Sequence, residues 1–163
     1  MDPKTITFTS IGTIHSPHKE LAQIPIQPVF CRDMTGSVVV DAEYAEGLRE
    51  LEGFSHIFLF YHFHLSHQTR LQLQPYLSDQ ECGIFATRAP HRPNKLGMSL
   101  VRLVDISSNI LHVKDLDIAD GTPLLDIKPY IRRFDSCDEV RSGWQDQIAK
   151  DVAAQRGLRD YRK

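Results

Sequence analysis

The chain has 163 residues, 41% of them apolar and 25% charged, with a formal net charge of −2. That length suits one compact domain with a real hydrophobic core, and so near-neutral a balance gives no reason by itself to expect a nucleic-acid partner. Cys31, Cys82 and Cys137 are far apart and odd in number. They lack the C-x-x-C spacing of a zinc or redox site, which points to a reducing compartment.

Thr5 to His15 is rich in Ile, Thr and Phe, partly alternates, and stops at Ser16-Pro17, so it predicts a first strand. The opening MDPKTITFTS has no basic region followed by an apolar one. No uncharged apolar run reaches the roughly 18 residues of a spanning helix, so the cytoplasm is the expected location. HKELAQIPIQP carries Pro25 and Pro28, neither of which fits a central ladder, and predicts an extended surface excursion. Gly36 opens a short strand, SVVV. Asp41 is a good N-cap, and Tyr44, Leu48 and Leu51 recur at helical spacing before Gly53, predicting one internal helix.

Phe54 to Leu65, FSHIFLFYHFHL, is dense in aromatic and β-branched residues and predicts a central strand buried on both faces. RLQLQPYL alternates as a half-buried strand does. MSLVRLVDIS and NILHVKDLDI, joined through Ser107-Ser108-Asn109, predict a hairpin, and TPLLDIKPYI a short extended segment ended by prolines. In the tail from Ser142, Trp144, Ile148 and Val152 lie four apart, predicting an amphipathic helix of about three turns docked on the barrel or on a second subunit. The fold expected is mainly β. It is a small antiparallel barrel (residues 1–141) with one internal helix, followed by a C-terminal helix or tail (142–163).

Charge is unevenly placed. No acidic residue lies between Cys82 and Val104, whereas Arg88, Arg92, Lys95 and Arg102 are basic; the acids gather in Asp41 to Glu52 and Asp115 to Asp120. A ligand feels such a field over about 8 Å at physiological salt, so Phe85 to Ser99 is the expected floor of a site for an anionic, RNA-type substrate. Its prolines stiffen the loop, and its guanidinium groups suit phosphate or carboxylate; a solvated basic turn is the plainer alternative.

No G-x-G-x-x-G, P-loop or G-x-S-x-G motif is present, which removes the usual markers of dinucleotide binding, phosphoryl transfer and serine hydrolysis. His62, His64 and His67 invite a metal, but no Asp, Glu or Cys lies nearby to complete a site. A packed His62 and a ligand-bonding His64 are expected instead. DIADGTPLLDIKPY gathers Asp115, Asp117, Asp120 and Asp126 with Lys128 and Tyr130, a cluster able to hold a cationic sulfonium or, more plainly, to cap a turn and pair with a basic side chain.

IGTIHSPHKE, LEGFSHIFLFYHFH, FATRAPHRPNKLGMSLVRL and LDIADGTPLLDIKPY occur in that order. Together they resemble the TsaA-like family, also called YaeB or TrmO, from Ile11 to about Asp135. The resemblance implies a non-Rossmann methyltransferase: a homodimeric β-barrel that binds S-adenosylmethionine and methylates N6 of threonylcarbamoyladenosine at position 37, in the anticodon loop of tRNA. By motif it assigns cofactor contacts to Pro25, Ile26, Gln27, His64, Leu65, Arg88, Met98, Ile118, Ala119, Asp120 and Gly121. RNA contacts fall to Arg92, Asn94, Lys95 and Lys128. No metal is implied and no membrane partner.

Two sites depart from the bacterial pattern, Pro-Arg-Gln and His-Gln becoming Pro25-Ile26-Gln27 and His64-Leu65, and the chain is shorter than those members, which carry an additional C-terminal domain. Methyl transfer from a sulfonium is an in-line displacement, so alignment and desolvation are the protein's main tasks. Asp126 or Asp120 is the expected proton acceptor, with Tyr130 stacking on or bonding the base. Two rival readings remain: a sensor that binds S-adenosylmethionine or a nucleotide without catalysis, and an RNA-binding barrel.

Overall fold

A computed structural model describes residues 4–157. Six antiparallel strands close a barrel: β1 (Gly12–His15), β2 (Thr35–Val40), β3 (His56–His62), β6 (Leu96–Ser107), β7 (Ile110–Lys114) and β8 (Thr122–Pro129), in the order β1-β2-β7-β6-β3-β8. A separate ribbon pairs β4 (Gln72–Leu73) with β5 (Cys82–Gly83) in the long excursion between β3 and β6. Two short helices, α1 (Arg132–Asp135) and α2 (Lys150–Arg156), follow the barrel.

Alternation drives the closure. Ile14, Val38, Val40, Ile57, Leu59, Val101, Leu111, Val113 and Leu124 all point inward and are fully or almost fully buried, each stabilising the fold by roughly 1.5–3 kcal/mol. The hairpin expected around Ser108-Asn109 forms as β6–β7. Asn109 secures it by donating Nδ2–H to Val40 O at 2.6 Å. Every barrel strand has two neighbours, so the barrel presents no open edge for aggregation.

Several elements differ from expectation. The first strand covers only Gly12–His15, because β2 ends at Val40 and the backbone before Ile11 has no neighbouring strand to pair with. The internal helix is two 3₁₀ segments, Ala42–Leu48 and Leu51–Gly53. Glu50 adopts a left-handed φ of 67° between them, and Asp41 makes no capping bond. β3 is buried on one face only: Ile57, Leu59 and Tyr61 face the core, while Phe58 and Phe60 lie half-buried outside, so its aromatic density serves a surface. RLQLQPYL pairs only at Gln72–Leu73, and Pro75 precludes extension. The tail is not one helix. A 3₁₀ turn at Gly143–Gln147 is followed by extended Ile148 and Ala149 before α2 begins, and residues 158–163 lie outside the described range.

Near one end of the barrel a polar chain crosses the core. Tyr61 Oη and Ser99 Oγ are 3.1 Å apart, and Ser99 donates to Asp117 Oδ1 at 2.6 Å, with all three side chains buried. Gly97 lies opposite Tyr61 in the β3–β6 register, and a Cβ built on it would sit 2.2 Å from the ring. This contact gives the glycine of the FATR…RPN…G-x-S run a packing role. Gly97→Ala is expected to lower stability by about 1–3 kcal/mol through forced displacement of Tyr61, which urea denaturation of wild type and variant would measure.

Candidate active site at the barrel mouth

Antiparallel order brings the ends of β1 and β3, the starts of β6 and β8, and the loop before β2 to one mouth of the barrel. There the residues 115–121 fold back across the opening in a turn that is bonded along its length. Ser16 Oγ–H donates to Ile118 O at 2.6 Å, and Thr122 Oγ1–H to Ala119 O. Asp120 N–H donates to His18 O and Gly121 N–H to Ile14 O, while His18 Nε2 lies 2.8 Å from Leu116 O. Gly121 takes φ of 74°, the region where glycine carries no steric penalty. The Ile118 side chain is buried in the core, so only its backbone is available at the mouth.

Asp120 accepts Ser16 N–H at 3.1 Å and lies 3.5 Å from His15 Nδ1. The backbone donor first, and then the neighbouring His15, hold its carboxyl below the usual carboxylate range. A carboxylate held ionised in this way is suited to facing a cation and poorly suited to accepting a proton. The turn therefore carries a fixed negative charge.

Loop residues 21–31 lead towards the start of β2 at the same end of the barrel. Arg88 Nη1 donates to Gln27 Oε1 at 2.9 Å, joining the Pro25–Gln27 run to the basic loop. Pro25 is buried, Ile26 half-buried, and Ile26 N–H is bonded to Gly157 O, so the tail braces this loop. Below it, burial and then the charge of Asp117 and Asp115 push the Cys31 thiol up to about 12, leaving it an inert packing group.

His64 lies beyond the end of β3, in a turn, with its ring held below the usual imidazole range by burial and therefore neutral at pH 7. Since the strand ends at His62, the two rings do not share a strand face, and His62 is exposed rather than packed. Leu65 is exposed beside it. No group of three or more metal-capable side chains occurs among the described residues.

The remaining candidates lie elsewhere. Met98, Phe60 and Asp126 form one cross-strand row on the outer face of β6-β3-β8, away from the mouth turn. A bulge between Leu124 and Asp126 turns the strand so that Asp126 and Lys128 both face outward, where they form an ion pair of 2.7 Å. Tyr130 stands beyond them, its ring 6.0 Å from Phe58 and 6.5 Å from His56. Asp126 also lines a shallow groove of about 580 Å³ with Tyr44, Leu51 and Phe54, at the end of the barrel opposite the mouth.

The basic loop is more internally bonded than its composition suggests. Arg92 Nη1–H donates to Ile84 O at 3.2 Å and Thr87 O at 2.7 Å, and Lys95 Nζ–H to Gln68 O at 3.0 Å. Asn94 is exposed. Sequence reasoning missed Ser16, His18, Ser99 and Tyr61, which shape the mouth. The HSPH run was visible as a motif, but nothing in one sequence says which turn it will meet.

A family model described as the tRNA-methyltransferase O N-terminal domain matches residues 13–136. A probable S-adenosyl-L-methionine-binding protein of Pyrococcus abyssi is 51% identical over 142 residues, covering 87% of this chain and 77% of that protein. The tRNA (adenine(37)-N6)-methyltransferase of Escherichia coli is 37% identical over 147 residues, 84% of this chain and 63% of the relative. Among solved structures, TrmO from Pseudomonas aeruginosa aligns with a TM-score of 0.75 at 35% identity, over 90% of this chain and 65% of that one. The chain thus spans about two thirds of the bacterial proteins it matches.

The bonds to Asp120 have a pH signature. Its lowered pKa means that they stabilise the fold above the ordinary carboxylate value of about 3.9, and that this contribution disappears as pH falls through the lowered value. Asp120→Asn is therefore expected to lower the thermal midpoint at pH 7. The gap to wild type should close as pH drops from about 4 towards 2, as calorimetry across that range would record.

Proposed function

The chain belongs to the tRNA-methyltransferase O family, and we propose on that premise that it is an S-adenosylmethionine-dependent methyltransferase acting on N6 of adenosine 37 of tRNA, in its threonylcarbamoylated form. The observations that support this reading are a carboxylate fixed on the bonded mouth turn and an arginine tied to Gln27 in the loop that leads towards β2. That donor set fits the cofactor: Arg88 suits its carboxylate, Asp120 its cationic end, and half-buried Ile26 its apolar edges. Ile26 and Leu65 lend apolar surface where a cation and an amide would give hydrogen bonds. S-Adenosylmethionine, when bound, supplies an electrophilic methyl group on a sulfonium.

The chain's own work is to align, desolvate and remove one proton. The bonded turn and the stiff basic loop fix the approach geometry in advance, so little ordering is left to the moment of reaction. Asp126 takes the proton shed by N6. It is half-exposed, oriented by Lys128, and beside the rings of Phe60 and Phe58 on the outer face, whereas Asp120 serves electrostatically. Asn94, Lys95 and Lys128 contact the RNA, and residues 142–163 act as a C-terminal element of the one barrel domain.

Because Met98 and Asp126 lie on the outer face while Asp120 lies on the mouth turn, a homodimer is the arrangement that lets one subunit's face complete the other's mouth. A cytoplasmic location accords with a tRNA substrate; no helix among the described residues is long and apolar enough to cross a membrane.

Transfer of labelled methyl to tRNA that carries or lacks the threonylcarbamoyl group tests the reading, with label expected only in modified tRNA. Asp126→Asn should cut turnover about 100-fold or more while leaving calorimetric affinity for S-adenosylmethionine nearly unchanged; a fully active variant would remove Asp126 from the mechanism. Light scattering is expected to give twice the mass of one chain.

A further inference from the structure

We infer that Phe85 is a stacking shelf for an unpaired nucleobase of the RNA substrate, flanking the methylated adenosine; this rests on the tRNA reading above. Phe85 is 75% exposed, the highest exposure of any large apolar side chain among the described residues. Its surroundings are not those of a loose loop tip. Ile84, its neighbour, is 1% exposed and anchors the 3₁₀ turn Ile84–Ala86. Thr87 Oγ1–H donates to Ile84 O, Ala89 N–H donates to Thr87 Oγ1, and Trp144 Nε1–H donates to Ala86 O at 2.9 Å. The backbone is fastened on both sides of a ring that is left in water.

Arg92 explains what the ring is prepared for. Its guanidinium lies over the Phe85 ring, 5.7 Å from the centroid, and Nη1 is occupied by the Ile84 and Thr87 carbonyls. The cation is thus fixed as a backing plate on one side, and the exposure of Phe85 leaves the other open. A ring with a cation behind it favours a flat, polarisable partner in front.

Charge selects the kind of partner. The ring's own loop carries Arg88, His91 and Lys95 with no acidic residue from Cys82 to Val104, and the segment bonded to Ile84 through Leu71 carries Arg70, whose N–H is bonded to His91 O. A protein helix or a second hydrophobic surface would have no use for that cationic rim. An unpaired nucleotide has both a π-face for the ring and a phosphate for the rim. Arg92 therefore serves RNA indirectly, by holding the shelf.

The test measures binding of an anticodon stem-loop RNA by fluorescence anisotropy, and of S-adenosylmethionine by calorimetry, for wild type, Phe85→Ala, Phe85→Leu and Phe85→Trp. Expected is about tenfold weaker RNA binding for Phe85→Ala and Phe85→Leu and retained or tighter binding for Phe85→Trp. Cofactor affinity should stay the same. The slope of log affinity against log salt should also be unchanged for Phe85→Ala, whereas Arg70→Ala should reduce it by nearly one unit.

Wild-type RNA affinity in Phe85→Ala, or equal affinity for Phe85→Leu and Phe85→Trp, would overturn the shelf. So would a parallel loss of cofactor binding or a change in oligomeric state. Failure of the wild type itself to bind RNA would reject the tRNA reading, and is distinct from failure of the variants alone.

Discussion

The mouth of this barrel depends on a close approach between two strands. Tyr61 lies against Gly97 so tightly that no Cβ fits between them. That placement lets its hydroxyl meet Ser99, and through Ser99 the buried carboxylate of Asp117. Asp117 immediately precedes the turn 118–121. A buried polar chain of this kind is costly if any member is left unpaired, so it favours one arrangement of the strands and the turn over near alternatives. The strand pair, the core polar chain and the cofactor-facing turn are in this sense one device, with glycine at its hinge point because nothing larger can stand there.

How much of this was legible in the sequence depends on the range of the interaction involved. The β6–β7 hairpin could be read because alternation and a polar turn are local signals. The acid-free basic loop was legible for the same reason. The internal helix was misread because Tyr44, Leu48 and Leu51 do recur at helical spacing, yet Glu50 takes a left-handed conformation that propensity does not signal. The burial of β3 was misread because an aromatic run looks alike whether it fills a core or covers an outer face. The bulge at Leu125, which decides that Asp126 faces outward, depends on registry with β3 and leaves no mark in composition.

The basic loop shows the difference between counting charges and knowing what they do. In sequence, Arg88, Arg92 and Lys95 are three equivalent cations. In the structure Arg88 is tied to Gln27, Arg92 to two carbonyls and an aromatic ring, and Lys95 to Gln68 O. Much of the hydrogen-bonding capacity is spent on shaping the loop, which lowers the entropy to be lost when a partner arrives. The positive field remains, because a bonded guanidinium keeps its charge.

The tail fastens two of the long loops, residues 21–31 and the excursion between β3 and β6. Trp144 bonds the carbonyl beside Phe85, Gly157 accepts from Ile26 and packs under Phe30, and Arg156 pairs with Asp79. All of these fasteners lie beyond residue 136, where the recognised family domain ends. The unit that inheritance delimits and the unit that mechanics requires are therefore different lengths of chain. In this chain the loops at Ala86 and Ile26 are held by bonds from outside the matched domain, so a change in the tail can alter them without altering a residue of that domain.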